Sequence, residues 1–165
     1  MNHDIAVAMA NLSTGIYVLT VNDGTHRHGM SSSWVTQVSG EPPLLMAAVD
    51  NHHFSRAMVA GAGAFGFNIV GRRGKELEDY FYSARSRRPD NLEGLAYELS
   101  PTLQMPWLNL AMIALEVRVV DTHIAGDHTL FIAEIVGVRI GEKDTPLTSL
   151  DLDYVYVGGK EVIKR

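Results

Sequence analysis

Strand-length runs of apolar and β-branched residues recur along the chain, separated by clusters of turn-forming residues. Gly15 to Val21 (GIYVLTV) is almost continuously apolar and predicts a central strand. Asn22-Asp23-Gly24 predicts a tight turn into the next strand. From there His28 to Ser39 is long enough and β-prone enough to be one strand, and Pro42-Pro43 ends it. Leu44 to Val49 predicts another buried strand. Ala64 to Val70 (AFGFNIV) predicts a strand with two unlike faces at period two. Phe65, Phe67 and Ile69 make a bulky face, whereas Ala64, Gly66 and Asn68 make a small one with a single polar group. The final third is again β, over Met112 to Val120, Leu130 to Ile140 and Tyr154 to Val157, turning at Gly158-Gly159 into a short last strand.

Helical spacing is confined to three short stretches. Ile5, Ala8, Met9 and Leu12 follow a cap at Asp4, and Phe54, Ala57, Met58 and Gly61 follow a cap at Asp50-Asn51. Lys75 to Ala84 places Leu77, Tyr80, Phe81 and Ala84 on one stripe. Residues 85 to 110 read as irregular, with Arg85, Arg87 and Arg88 before Pro89 and two further prolines. Strands dominate and the helices sit at connections. That pattern predicts an α+β, β-dominated fold: a closed or partly closed β-barrel with short peripheral helices, as one domain over residues 1–165.

Composition narrows the functional classes. A net charge of −5 without an extended basic tract argues against nucleic-acid binding. No apolar stretch approaches the roughly 20 residues needed to cross a bilayer, and Met1-Asn2-His3-Asp4 does not resemble a signal peptide, so the expected location is cytoplasmic, with no membrane association. Cysteine is absent, which excludes disulfides, thiol redox chemistry, Fe–S clusters and Cys-based zinc sites. A redox function would then need an organic cofactor or a His/carboxylate metal.

The serine-rich run carries the most chemistry. In a single strand, Gly29, Ser31, Ser33, Gln37 and Ser39 share one face with Val35. A row of small donors and acceptors beside a flexible Gly suits a ligand that takes many short hydrogen bonds, such as a phosphate or a flavin edge. An edge strand with a solvated serine face gives the same pattern.

Five motifs in order resemble the flavin reductase-like, FMN-binding split-barrel family: Gly15-Ile-Tyr-Val-Leu-Thr, Gly29-Met-Ser-Ser-Ser-Trp, Ser39-x-x-Pro-Pro, Phe65-Gly-Phe-Asn-Ile-Val and Gly126-Asp-His-Thr-Leu-Phe-Ile-Ala-Glu-Ile. The resemblance implies a homodimer with one FMN per subunit near the dimer interface, reduced by NADH or NADPH. It implies that Met30, Ser31, Ser32, Ser33 and Trp34 lie along the isoalloxazine and ribityl chain, that Ser39 and Pro43 border the ring, and that Asn68 hydrogen-bonds the flavin. It also implies a phosphate grip between Asp50 and Ser55. There the chain departs from the family's Arg or Lys with paired Ser/Thr, carrying Asn51-His52-His53-Phe54-Ser55. Ser55, amides at the start of the second helix, and His52 or His53 then take the phosphate. The Ser31-Ser32 pair stands where Thr-Ala is common, and Trp34 where Phe is usual.

Other candidates follow. His128 occupies the family's Gly-Asp-His position, a candidate to meet the nicotinamide or to protonate reduced flavin, against a bland reading of a strand-start histidine tied to Asp127. Arg87 and Arg88, with Arg85, are candidates for a flavin or nicotinamide phosphate. His26 and His28 read as a solvated pair rather than metal ligands, and Trp107 with Tyr80, Phe81 and Tyr82 as core or interface. Hydride transfer asks the protein chiefly to hold two rings in contact, so the lack of a paired-carboxylate or Ser/His/Asp signature does not argue against an enzyme. The expected function is an NAD(P)H-dependent flavin reductase, with a flavin-dependent oxygenase or an electron-transfer protein downstream. A flavoredoxin-like FMN carrier, a ferric-complex reductase and a flavin- or haem-binding module without turnover remain as alternatives.

Overall fold

The computed structural model describes residues 1–83, 87–158 and 161–164. The elements are α1 (His3–Ala10), β1 (Tyr17–Asn22), β2 (Arg27–Ser32), β3 (Val35–Gly40), β4 (Pro43–Asp50), α2 (Phe54–Ala62), β5 (Ala64–Ile69) and α3 (Lys75–Tyr82). They continue with β6 (Tyr97–Leu99), β7 (Pro106–Leu108), β8 (Ile113–Ala125), β9 (His128–Ile140), β10 (Tyr154–Gly158) and β11 (Glu161–Lys164). Seven strands form one antiparallel sheet in the order β2-β1-β5-β8-β9-β4-β3. No helix among the described residues is long and apolar enough to cross a membrane.

The expected single strand over 28–39 is two strands, and they lie at opposite edges of that sheet. Ser32 pairs with Tyr17 of β1, whereas Val35 pairs with Ala47 of β4. Only Ser33 and Trp34 lie between, and the Trp34 carbonyl accepts from Ala48 N at 3.0 Å. Two edges joined by so short a link have to meet, because three residue steps span at most about 10 Å. The sheet therefore curls into a split barrel with its corner at Ser33–Trp34. Leu19, Met30, Ala47, Phe65, Val117 and Phe131 fill its interior, in agreement with the bulky face read for β5.

The outer edge of β2 is covered by side chains rather than by another strand. The Asn91 amide both accepts from Gly29 N and donates to Gly29 O, each at 2.7 Å. His28 Nδ1 donates to the carbonyls of Arg88 (2.9 Å) and Pro89 (3.2 Å). These bonds blunt an exposed edge and tie the segment after α3 to β2. His28 is thus buried, not half of a solvated pair, and burial pushes its imidazole below the ordinary histidine range despite those carbonyls.

Residues 87–110 are more ordered than the sequence suggests. β6 and β7 form a hairpin that docks on the small face of β5. A Cβ at Gly66 would collide with Thr20 Oγ1 and the Pro106 carbonyl, so this approach requires Gly. The loop between these strands is clasped by Glu116, which is fully buried. Its carboxylate accepts from Ser100 Oγ (2.6 Å), Leu103 N (2.6 Å) and Thr102 N (3.1 Å). Burial pushes this carboxyl up, but the hydrogen bonds outweigh it and hold the group below the usual range.

The helices follow their expected spans with different caps and faces. Asn2 caps α1 by accepting from Asp4 N, and the helix buries Ala6 and Ala10 on the β10–β11 hairpin, leaving Ile5, Met9 and Leu12 outside. Small alanines permit the close approach that a larger stripe would block. His53, not Asp50 or Asn51, caps α2, whose inward residues are Ser55, Met58 and Val59, while Phe54 is exposed. In α3, Leu77 and Phe81 are buried as the stripe predicts; Ala84 lies outside the described residues.

Glu116→Gln is expected to destabilise the fold by roughly 1–3 kcal/mol, because one side of the amide presents donors to donors. The lowered carboxyl stabilises the wild type above the pKa of the unfolded chain and loses that effect as pH falls through the folded value. Chemical denaturation should therefore show the gap to the variant narrowing in acid; a constant gap across pH would contradict the ionised clasp.

Candidate functional site

The corner of the barrel opens outward into a cleft of about 420 Å³, within the usual range for cofactor sites. Met30, Ser31, Ser32, Ser33 and Trp34 line it in succession. From β4 come Ala48 and Asp50, the residues alternate to the inward Ala47 and Val49. α3 contributes Glu78, Phe81 and Tyr82, β9 contributes His128, and β10 contributes Tyr154 and Tyr156. His53 and Arg87 complete the set used below. Ser31 and Ser32 end the β1–β2 ladder, and the change of partner at Ser33–Trp34 places the hydroxyl run at the mouth of this space.

One wall is aromatic. Trp34 lies 4.6 Å from His128 at an interplanar angle of 33°, and 5.5 Å from Tyr156 at 36°. His128 is buried, and its Nδ1 is 2.7 Å from Asp127 Oδ1. An ionised carboxylate only accepts, so Nδ1 carries the proton and Nε2 is the basic nitrogen of the neutral ring. The same bond is the main reason the Asp127 carboxyl lies below its ordinary value.

The wall on α3 is polar. Ser31 Oγ donates to Glu78 Oε2, and Tyr154 Oη donates to Glu78 Oε1 at 2.8 Å. Tyr154 also stacks on Tyr82, with ring centroids 4.5 Å apart. Burial, reinforced by the Glu78 charge, pushes the Tyr154 phenol far above its ordinary value, so it remains a donor.

Several residues singled out by sequence lie elsewhere. Asn68 is fully buried within the sheet: Nδ2 donates to Val18 O (3.2 Å) and Thr20 Oγ1 (3.3 Å), and Oδ1 accepts from Leu108 N at 2.8 Å. Its polarity serves the docked β7 strand, so the expected flavin contact gives way to a structural one. Ser39 and Pro43 sit at the far end of the β3–β4 hairpin, roughly 14 and 17 Å along the strand from Ala48. Of the expected phosphate grip, Asp50 and His53 line the cleft; His53 Nδ1 accepts from Ser55 N at 3.1 Å. Asn51 accepts from Thr129 Oγ1 at 2.6 Å, His52 is exposed and reaches Asp50, and Ser55 is buried beneath α2. Arg88 borders a separate polar hollow with Tyr80 and Asp90, and Arg85 lies outside the described residues.

Glu78, Tyr154 and Tyr156 were not legible as site residues. Glu78 and Tyr82 are four apart, one position beyond the buried Leu77–Phe81 pair, so both fall at the edge of the apolar stripe where a cleft-facing residue belongs. That edge was the available signal.

The cleft meets the demands of a flavin. A tricyclic ring needs an aromatic surface and an edge of short hydrogen bonds, and at the corner the Trp34 indole, with His128 and Tyr156 tilted 33° and 36° against it, meets the serine run. Comparison with known proteins agrees. The model of the flavin reductase like domain family matches residues 9–158, and the chain belongs to that family. It is 29% identical over 140 residues to an NADH:riboflavin 5'-phosphate oxidoreductase of Streptomyces pristinaespiralis, covering 84% of this chain and 78% of that protein. It is 26% identical over 147 residues to the reductase component of a 4-hydroxyphenylacetate 3-monooxygenase from Thermus thermophilus, covering 89% and 91%. Among solved structures, the flavin reductase PheA2 in its native state superposes with a TM-score of 0.77 at 26% identity, covering 90% of this chain and 93% of that one.

Asn68→Ala is expected to lower the melting temperature, since it strands the Leu108 amide and costs about 1–3 kcal/mol. FMN affinity of the folded variant should stay within about twofold of wild type, which corresponds to under half a kcal/mol. Thermal melts paired with FMN titration check this; a normal melting temperature with weakened FMN binding would return Asn68 to the site.

Proposed function

We propose that the chain is an NAD(P)H-dependent flavin reductase that uses FMN. The observation that carries this reading is the convergence of Met30 to Trp34 with His128 and Tyr156 on one cleft at the barrel corner. When bound, FMN supplies the two-electron acceptor that a nicotinamide hydride requires. The protein's part is positional. Trp34, flanked by the tilted rings of His128 and Tyr156, offers the aromatic surface against which the rings align. Hydroxyls and amides at Ser32 and Ser33 supply the short polar contacts that fix the edge of a ring. His128, held by Asp127, keeps Nε2 available to hold or deliver a proton. Arg87 and His53 provide positive and donor groups for phosphate oxygens.

A homodimer fits this reading. Ile5 and Met9 of α1 and Leu12 just after it are exposed, as are Val138 and Ile140 at one end of the β8–β9 hairpin, and exposed apolar side chains of this kind are available for association. The relative that serves as the reductase component of a monooxygenase supports a flavin-dependent oxygenase as the consumer of the reduced flavin.

The test is an absorbance spectrum of the protein soaked with FMN, repeated without oxygen after adding NADH and then NADPH. A flavin band that bleaches with either nucleotide is the expected result. A band that persists with both would instead identify a carrier reduced by another protein. His128→Ala is expected to slow NADH oxidation by roughly 10- to 100-fold, the low end for acid–base assistance, while retaining FMN. Wild-type turnover in that variant would reduce His128 to a structural role.

A further inference from the structure

On the α3 wall of the cleft, beside the phenol of Tyr82, the cluster around Glu78 presents acceptors alone. Glu78 is 4% exposed and borders the cleft. Burying a carboxylate is costly unless it is hydrogen-bonded, and here each oxygen receives one hydroxyl, from Ser31 and from Tyr154. Each of those hydroxyls has a single proton, and both protons are committed to Glu78. Toward the cleft, Ser31 and Tyr154 therefore present only lone pairs, and Glu78 has further lone pairs of its own. A phosphate, which is anionic and mostly an acceptor at neutral pH, is repelled from such a wall. A group rich in O–H donors is matched by it. Arg87 and His53 line the same cleft and are suited to the phosphate instead.

We propose that Glu78, acting with Ser31 and Tyr154, is a specificity-determining residue that takes the uncharged polyhydroxyl part of a bound ligand. That part is the ribityl chain of the flavin or a ribose of the nicotinamide nucleotide. The inference rests on the flavin reading above and adds the orientation of the ligand: hydroxylated carbon chain on α3, phosphate on Arg87 and His53.

Calorimetric titration of wild type, Glu78→Gln and Ser31→Ala with lumiflavin, riboflavin and FMN tests this without turnover. Lumiflavin has the ring but no ribityl chain. Glu78→Gln is expected to weaken riboflavin and FMN by about tenfold, the loss of one charge-assisted hydrogen bond, and lumiflavin by less than about twofold. If the hydroxyls belong to the nicotinamide nucleotide, all three flavins bind as in wild type, and KM for NADH rises about tenfold with kcat retained. Either split supports the assignment and names the source. Equal weakening of lumiflavin and riboflavin, or no change in any flavin or in KM, overturns it. So does tighter binding of FMN alone, which would leave only charge repulsion. Ser31→Ala removes an acceptor while leaving the Glu78 carboxylate and its bond from Tyr154 in place, and should give the same split if Glu78→Gln fails to fold. Wild type that binds none of the flavins would overturn the flavin reading itself; wild type that binds them while the variants show no split overturns only the role of Glu78.

Discussion

Everything distinctive about this molecule depends on one change of partner in the backbone. Over two residues, Ser33 and Trp34, the chain leaves the ladder with β1 and enters the ladder with β4. Those strands stand near opposite margins of a seven-stranded sheet, so the link forces the margins together. At the link neither residue belongs to a ladder, and the Trp34 carbonyl is tied to β4 by the bond from Ala48 N. Their hydroxyls, amides and indole ring are directed outward, beside the outward residues of β4 and the start of β9. The same constraint thus closes the barrel and creates the cleft.

Such a corner is only as well defined as the strands that meet there. β2 is an edge strand, and its free margin is covered by the amide of Asn91 and the ring of His28. Those contacts also fix the segment that brings Arg87 to the cleft. On the far side of the sheet, Asn68, Thr20 and Glu116 hold the β6–β7 hairpin through buried, fully paired hydrogen bonds. Paired polar groups of this sort enforce one register, because a slip would leave several of them unsatisfied at once. Rigidity around the cleft matters here, since aligning two rings is the main task asked of the protein.

The strands were legible because period-two runs and turn signals reflect burial directly. The corner was not. Ser33 and Trp34 interrupt neither β-propensity nor alternation, and a switch between two ladders is a fact about partners remote in sequence. For the same reason Asn68 misled: a lone polar group on a small strand face needs partners, and sequence does not say whether a ligand or a docked hairpin supplies them. The α1 stripe of Ile5, Met9 and Leu12 has helical spacing, yet the helix packs through Ala6 and Ala10, where closeness outweighs side-chain size. The lining of the cleft was legible where residues are contiguous, from Met30 to Trp34, and where a family motif marks the place, at His128. It was not legible where helix α3 and the late strand β10 add Glu78, Tyr154 and Tyr156 from far along the chain.

The central claim is that the corner binds a flavin against Trp34. The most direct measurement is an FMN titration followed by tryptophan emission, on wild type and on Trp34→Phe. Only one other tryptophan is present, Trp107, and it is buried beside Leu108 in the docked hairpin. The account predicts strong, saturable quenching in wild type and loss of most of it in the variant, with the phenyl ring still permitting FMN to bind. Quenching that persists unchanged in Trp34→Phe, or saturation with FMN that leaves the wild-type emission untouched, would place the flavin elsewhere and contradict the account.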